Sequence, residues 1–135
     1  MTEPVTCSVV DRICRFTLNR PEKLNALNKD MFAVIARHLD QLDHDGIDCL
    51  VLSGAGRSFC AGHDLADNSE GSREIERFEN GMVERLETLP FPVVAKVQGH
   101  CYTGALELVL SADVIVAAET TKFADTLSKF DLVPI

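Results

Sequence analysis

Two short apolar runs rich in β-branched residues, Val5 to Val10 and Ile13 to Leu18, are separated only by Asp11-Arg12. A two-residue connection between strand-type runs is a hairpin connection. Everything downstream has a different rhythm. Pro21 ends the second run, and a loop extends to Leu27. Asn28 then has the position and chemistry of a helix N-cap. After it, Met31, Phe32, Ile35, Leu39 and Leu42 recur at helical spacing.

The alternation continues to the end of the chain. Asp48 to Ser53 reads as a short buried strand, and Gly54 to Ser58 as a loop. From Ser72 to Leu89 an amphipathic helix is expected, with Ile75, Phe78, Met82, Val83, Leu86 and Leu89 on its apolar face. Glu74, Arg77, Glu84 and Glu87 fall on its solvated face. Pro90 and Pro92 break the chain before a strand from Val93 to Val97. Gly99 to Thr103 reads as a turn, Gly104 to Leu110 as a short apolar helix, and Val114 to Ala118 as another strand. A hairpin followed by strands alternating with helices points to an α/β fold. No internal repeat or low-complexity segment interrupts it.

With 135 residues, 46% of them hydrophobic and 25% charged, one domain with a packed core is expected. A formal net charge of -8 argues against a general nucleic-acid binder, which carries a basic stripe. An anionic small ligand remains compatible with it, because a pocket can be locally positive. Cys7, Cys14, Cys49, Cys60 and Cys101 are odd in number, scattered, and form no CxxC. That pattern argues against a disulfide framework or zinc ribbon and for buried thiols in a reducing compartment. The N-terminus lacks the basic-then-apolar order of a signal peptide, and no apolar run has the length of a membrane span. A cytoplasmic protein with no membrane partner is the expectation.

Two joints carry the chemistry. Ser53 to Leu65 and Val97 to Leu108 each pass from strand to helix through small residues, among them Ala61, Gly62, Gly104 and Ala105. The first N–H groups of a helix have no intrahelical acceptor and carry partial positive charge. Two such donors converging on one oxygen make an oxyanion hole, suited to an enolate or a tetrahedral oxyanion. Phosphate motifs fit poorly. Gly54-Ala55-Gly56 has Phe59 where a third glycine belongs, and Gly62 is followed by His63-Asp64 rather than Lys-Ser/Thr.

Glu107 is an acid in an otherwise apolar segment, three residues beyond Gly104. A carboxylate held partly away from water is well placed to move protons near neutral pH. The His63-Asp64 pair invites a catalytic or metal reading, but adjacent side chains on a turn point in different directions. The backbone N–H of His63 is the more useful group, with the imidazole shaping the pocket entrance. His38, Asp40, Asp43, His44 and Asp45 are most simply the end of a solvated helix, and His100 is a turn residue satisfied by backbone. No metal site is expected.

Three blocks in this order, LNRPEKLNALN (Leu18 to Asn28), VLSGAGRSFCAGHDL (Val51 to Leu65) and PVVAKVQGHCYTGALELVLSADVIVAAETTKFA (Pro92 to Ala124), resemble the enoyl-CoA hydratase/isomerase family, the crotonases. The resemblance implies a crotonase-like spiral of ββα units and acyl-CoA thioester substrates. It implies coenzyme A arriving with the substrate and no resident cofactor. Homotrimers or hexamers are implied for the full-length family. By motif match the oxyanion-hole N–H groups belong to His63 and Gly104, and Glu107 stands at the first catalytic glutamate. Lys23, Leu24, Ala26, Ala61, Asp64 and Leu65 match positions around the CoA adenine and pantetheine, largely through backbone atoms.

Two departures qualify the carry-over. Aligning Phe123 to Leu127 onto the family block places Leu127 where hydratases carry a second glutamate. Leucine neither binds nor deprotonates water, which argues against ordinary hydration. Asp125 would share a face with Leu127 in an extended stretch. One carboxylate still supports double-bond isomerisation or another enolate reaction. The family also continues past the LVP of this chain into a C-terminal helical region. The expectation is therefore a single incomplete domain, 1–135. Two other classes remain: a non-catalytic acyl-CoA-binding or assembly module or inactive remnant, and a doubly wound nucleotide-binding domain, against which the incomplete glycine motifs speak.

Overall fold

The computed structural model describes residues 3–64 and 72–125, with residues 72–76 as backbone only. The expected hairpin is present as β1 (Val5–Val10) and β2 (Ile13–Leu18), paired antiparallel from Val5 opposite Leu18 to Val10 opposite Ile13. Asp11 and Arg12, at φ 53° and 66°, both take the left-handed conformation. Positive φ at both central residues matches the turn twist to the strand twist. Arg12 then ties the turn to the start of the next strand, donating from Nε to Asp48 Oδ1 at 3.0 Å.

β3 (Cys49–Gly54), β4 (Val93–Val97) and β6 (Val114–Ala117) extend the sheet in the order β1-β2-β3-β4-β6, all parallel after the hairpin. Each crossover carries a helix: α1 (Lys29–Asp40), α2 (Ser72–Glu87) and α3 (Gly104–Leu110). Parallel neighbours need such crossovers, which puts helices on the sheet. Asn28 caps α1 as expected, its side chain accepting from Met31 N–H at 2.9 Å.

The core lies between the sheet and α1 and α2. Phe16, Leu18, Leu50, Leu52, Val93, Ala95 and Val97 alternate inward from β2, β3 and β4, and all are buried. Met31, Phe32, Ile35 and Leu39 face them from α1, and Met82 and Leu86 from α2. The edge strand β6 differs, since Val114, Ile115 and Val116 are all exposed.

The expected apolar face of α2 is rotated. Phe78 is 43% exposed, whereas Glu79 is 0% exposed and points inward. The stripe that meets the core therefore runs through Glu79, Met82 and Leu86. His38 is also not on a solvated face. It is buried on α1, its ring 5.8 Å from Phe16 and its Nε2 2.9 Å from Val5 O.

The stretch read as a turn at Gly99 to Thr103 contains a short strand, β5 (His100–Tyr102), which pairs in parallel with β7 (Lys122–Ala124). Isolated bridges join Leu27 to His63 and Cys60 to Cys101, again in parallel. Together these pairings form a second, smaller stack beside the main sheet. Its layers are segments from successive strand–strand–helix units, which is how a spiral of ββα units is held together. Among the described residues, no helix is long and apolar enough to cross a membrane.

Candidate active site

The small stack brings the three sequence blocks together. From the first block, residues Pro21–Lys23 form a single 3-10 turn, and Leu24 and Asn25 follow in the left-handed region at φ 50° and 56°. That reversal buries Asn25 completely. Its Oδ1 accepts from Arg20 N–H at 2.7 Å, and its Nδ2 donates to Ala55 O at 2.9 Å and Ser58 O at 3.0 Å. One side chain thus joins the first block to the second.

The second block is then laced to the first by its backbone. Ala61 N–H donates to Leu24 O at 3.0 Å, Leu27 N–H to Gly62 O at 2.7 Å, and Asp64 N–H to Leu27 O at 2.7 Å. Ala26 N–H donates to Lys23 O at 3.0 Å. Lys23, Leu24, Ala26, Ala61 and Asp64 are therefore neighbours. Ala26, Ala61 and Asp64, however, have already committed their amide donors to the loop. The Asp64 carboxylate is committed as well, 3.1 Å from Arg20 Nη2, and Arg20 Nη1 donates to Ala26 O at 2.7 Å. Leu65 and Leu127 lie outside the described residues.

The third block crosses beneath the second. Phe59 N–H donates to Gln98 O at 2.7 Å, Cys60 N–H to His100 O at 3.0 Å, and Tyr102 N–H to Cys60 O at 3.2 Å. Gly62 has φ +104°, and a Cβ there would sit 3.1 Å from Tyr102 O. Only glycine satisfies both conditions without strain. His100 is thus in β5 rather than a turn. Its N–H donates to Ser58 Oγ at 3.1 Å, and its ring stacks on Tyr102 at 4.8 Å.

At this crossing His63 meets the start of α3. Thr103 has φ 56°, so the chain turns sharply into Gly104. A Cβ on Gly104 would lie 2.7 Å from His63 Nε2 and would collide with Glu79 Oε1. The absence of a side chain at 104 is what lets the loop, α2 and α3 meet. Glu107 is half-buried one turn further along α3, its N–H donating to Thr103 O at 3.1 Å. His63, Gly104 and Glu107 are thereby brought to one corner of the fold.

The imidazole of His63 reaches α2. Its Nε2 is 2.7 Å from Glu79 Oε2, and the His63 side chain is 19% exposed against 0% for Glu79. Toward an ionised carboxylate the ring nitrogen is the donor. The partner of the imidazole thus comes from α2. Sequence reasoning missed Glu79, although its three-four spacing with Met82 and Leu86 put it on the buried stripe.

Burial also sets the thiols. Cys60, beneath the loop, is pushed up from 9.0 to about 12 by desolvation, and its Sγ–H donates to Asn25 O at 3.0 Å. Cys101 and Cys14 are likewise raised to about 12 by burial. These are protonated packing groups rather than nucleophiles. Among the described residues, no group of three or more His, Cys, Asp or Glu is placed to hold a metal ion.

Comparison with known proteins places this corner in context. Residues 9–135 match the family model described as enoyl-CoA hydratase/isomerase. The chain is 40% identical to 1,2-epoxyphenylacetyl-CoA isomerase of Escherichia coli, across 99% of this chain and 55% of that protein. It is 33% identical to enoyl-CoA hydratase EchA19 of Mycobacterium tuberculosis, across 88% of this chain and 48% of that one. Among solved structures, an enoyl-CoA hydratase/isomerase from Xanthobacter autotrophicus Py2 superposes with a TM-score of 0.87 at 31% identity, covering 96% of this chain and 51% of the other. The chain spans about half the length of the relatives it matches.

Proposed function

The chain belongs to the enoyl-CoA hydratase/isomerase family, and from that premise we propose that its site stabilises the enolate of an acyl-CoA thioester. His63 N–H and Gly104 N–H are the two donors to the thioester oxygen. Glu107 removes and returns the α-proton. Hydrogen bonds aimed at charge that develops only in the transition state lower the barrier without tightening the ground state. The observation that carries this reading is the crossing of the 60–63 loop over β5, which sets His63 against side-chain-free Gly104.

Lys23, Leu24, Ala26, Ala61, Asp64 and Leu65 form the CoA-binding edge in this reading. With the amides of Ala26, Ala61 and Asp64 and the carbonyls of Lys23, Leu24 and Ala26 engaged within the loop, the Lys23 side chain is the group that meets the phosphate. The substrate brings its own coenzyme A, and no resident cofactor enters. A homotrimer or hexamer, a cytoplasmic location and a role in fatty acid metabolism complete the proposal.

The test is exchange of the α-protons of butyryl-CoA into deuterated water, followed by mass spectrometry. Exchange is expected for the wild-type chain and its loss, by a factor of about 100 or more, for Glu107→Gln. A folded Glu107→Gln chain that exchanges at the wild-type rate would remove Glu107 from the mechanism.

A further inference from the structure

Glu79 is 0% exposed, yet among the described residues only one of its carboxylate oxygens is engaged. Oε2 takes the His63 ring nitrogen at 2.7 Å. Oε1 has no hydrogen-bond partner among the described residues and abuts Gly104. A carboxylate oxygen left bare away from water is costly, and such a group in a native structure calls for a reason, a catalytic role or a bound water among them. A helix that needed only packing at this position would carry an apolar residue, as α2 does at Met82 and Leu86.

We propose that Glu79 and His63 form a hydroxyl-binding subsite in the wall beside Gly104, with Glu79 Oε1 as acceptor of an O–H donor. The donor is either a water molecule or the hydroxyl of a bound 3-hydroxyacyl thioester. His63 fixes the carboxylate through Oε2, 2.7 Å from its ring nitrogen. With no side chain at Gly104, nothing larger than a hydrogen is set against Oε1 from α3. The inference rests on the acyl-thioester reading above, and it adds a second carboxylate to the site, from α2 rather than α3.

The test compares the wild-type chain with Glu79→Met and with the double variant His63→Leu/Glu79→Met. The double variant replaces both partners by apolar groups and leaves no buried charge uncompensated. Affinities for butyryl-CoA and 3-hydroxybutyryl-CoA are measured by calorimetry, and hydration of crotonyl-CoA by loss of the enoyl absorbance. If the ligand supplies the hydroxyl, wild type favours 3-hydroxybutyryl-CoA by about tenfold, the ratio a hydrogen bond to a charged group supports, and both variants bring it to about one. If water supplies it, wild type binds the two alike and hydrates crotonyl-CoA, and both variants lose at least tenfold in hydration relative to their butyryl-CoA affinity. Folded variants that keep the wild-type ratio and hydration overturn the subsite, as does a wild type that binds butyryl-CoA with neither preference nor hydration. The enolate reading survives both of those results. A wild type that binds neither thioester overturns the enolate reading and the subsite together.

Discussion

Replacing Asn25 should unfasten the loop that carries the site. The Asn25→Ala substitution removes three hydrogen bonds in a fully buried setting, to Arg20 N–H, Ala55 O and Ser58 O. At about 1 kcal/mol net for each, these account for about 3 kcal/mol. Alanine must also occupy φ 56°, where a Cβ without a compensating side-chain bond costs about 1 kcal/mol. The sum, about 4 kcal/mol, is a large share of the 5–15 kcal/mol typical of a domain. Urea unfolding followed by far-ultraviolet circular dichroism measures it, with Asn25→Gly as the partner experiment. Glycine meets the same loss of hydrogen bonds but no conformational penalty, so it should recover about 1 kcal/mol relative to alanine. Hydrogen exchange should accelerate first at the Ala61 and Asp64 amides, whose acceptors Leu24 O and Leu27 O flank Asn25. An Asn25→Ala chain within 1 kcal/mol of wild type would refute the view that this side chain joins the two blocks.

Further substitutions test neighbouring parts of the argument. Gly62→Ala should cost about 2 kcal/mol, because alanine is strained at φ +104° and its Cβ meets Tyr102 O. By moving His63 N–H it should also lower α-proton exchange by at least tenfold; undiminished exchange would detach that amide from the reaction. Native chain at pH 8 should leave Cys14, Cys60 and Cys101 unlabelled by a disulfide reagent until urea is added, since all three are 0% exposed and raised to about 12. Above 9.0 the unfolded thiols ionise while the folded ones stay protonated, so the unfolded state binds fewer protons and stability falls from about pH 9 to 12. Cys60→Ala should make that fall shallower, and an unchanged slope would contradict the assignment. Val114, Ile115 and Val116 on the edge strand should drive concentration-dependent association, which Ile115→Lys/Val116→Glu should reduce in light scattering.

The elements legible in the sequence were those whose signal is local. The hairpin bounds follow from β-branched runs and a two-residue connection. The start of α1 follows from Asn28, whose side chain does what its position predicts. β5 and β7 were illegible for the opposite reason. Each is a three-residue strand paired with segments distant along the chain, so neither had a periodic pattern to reveal it. His38 escaped because its burial depends on Val5 and Phe16 of the sheet, which no helical spacing records.

For the site, motif matching named His63, Gly104 and Glu107 but carried no signal for the contact between His63 and α2. The spacing of apolar residues in α2 can be satisfied with Phe78 or Glu79 inward, and hydrophobicity favours phenylalanine. The fold chooses glutamate because the imidazole of His63 is waiting on the inner side, 2.7 Å from it. Backbone and ring of the same residue are thus held by different elements: the backbone by its bridge to Leu27, the ring by α2. In the proposed oxyanion hole, the His63 N–H keeps its direction only while both holds persist. Substitutions at Glu79 and at Gly62 should then couple rather than add, since each releases one of the two restraints on a single peptide unit.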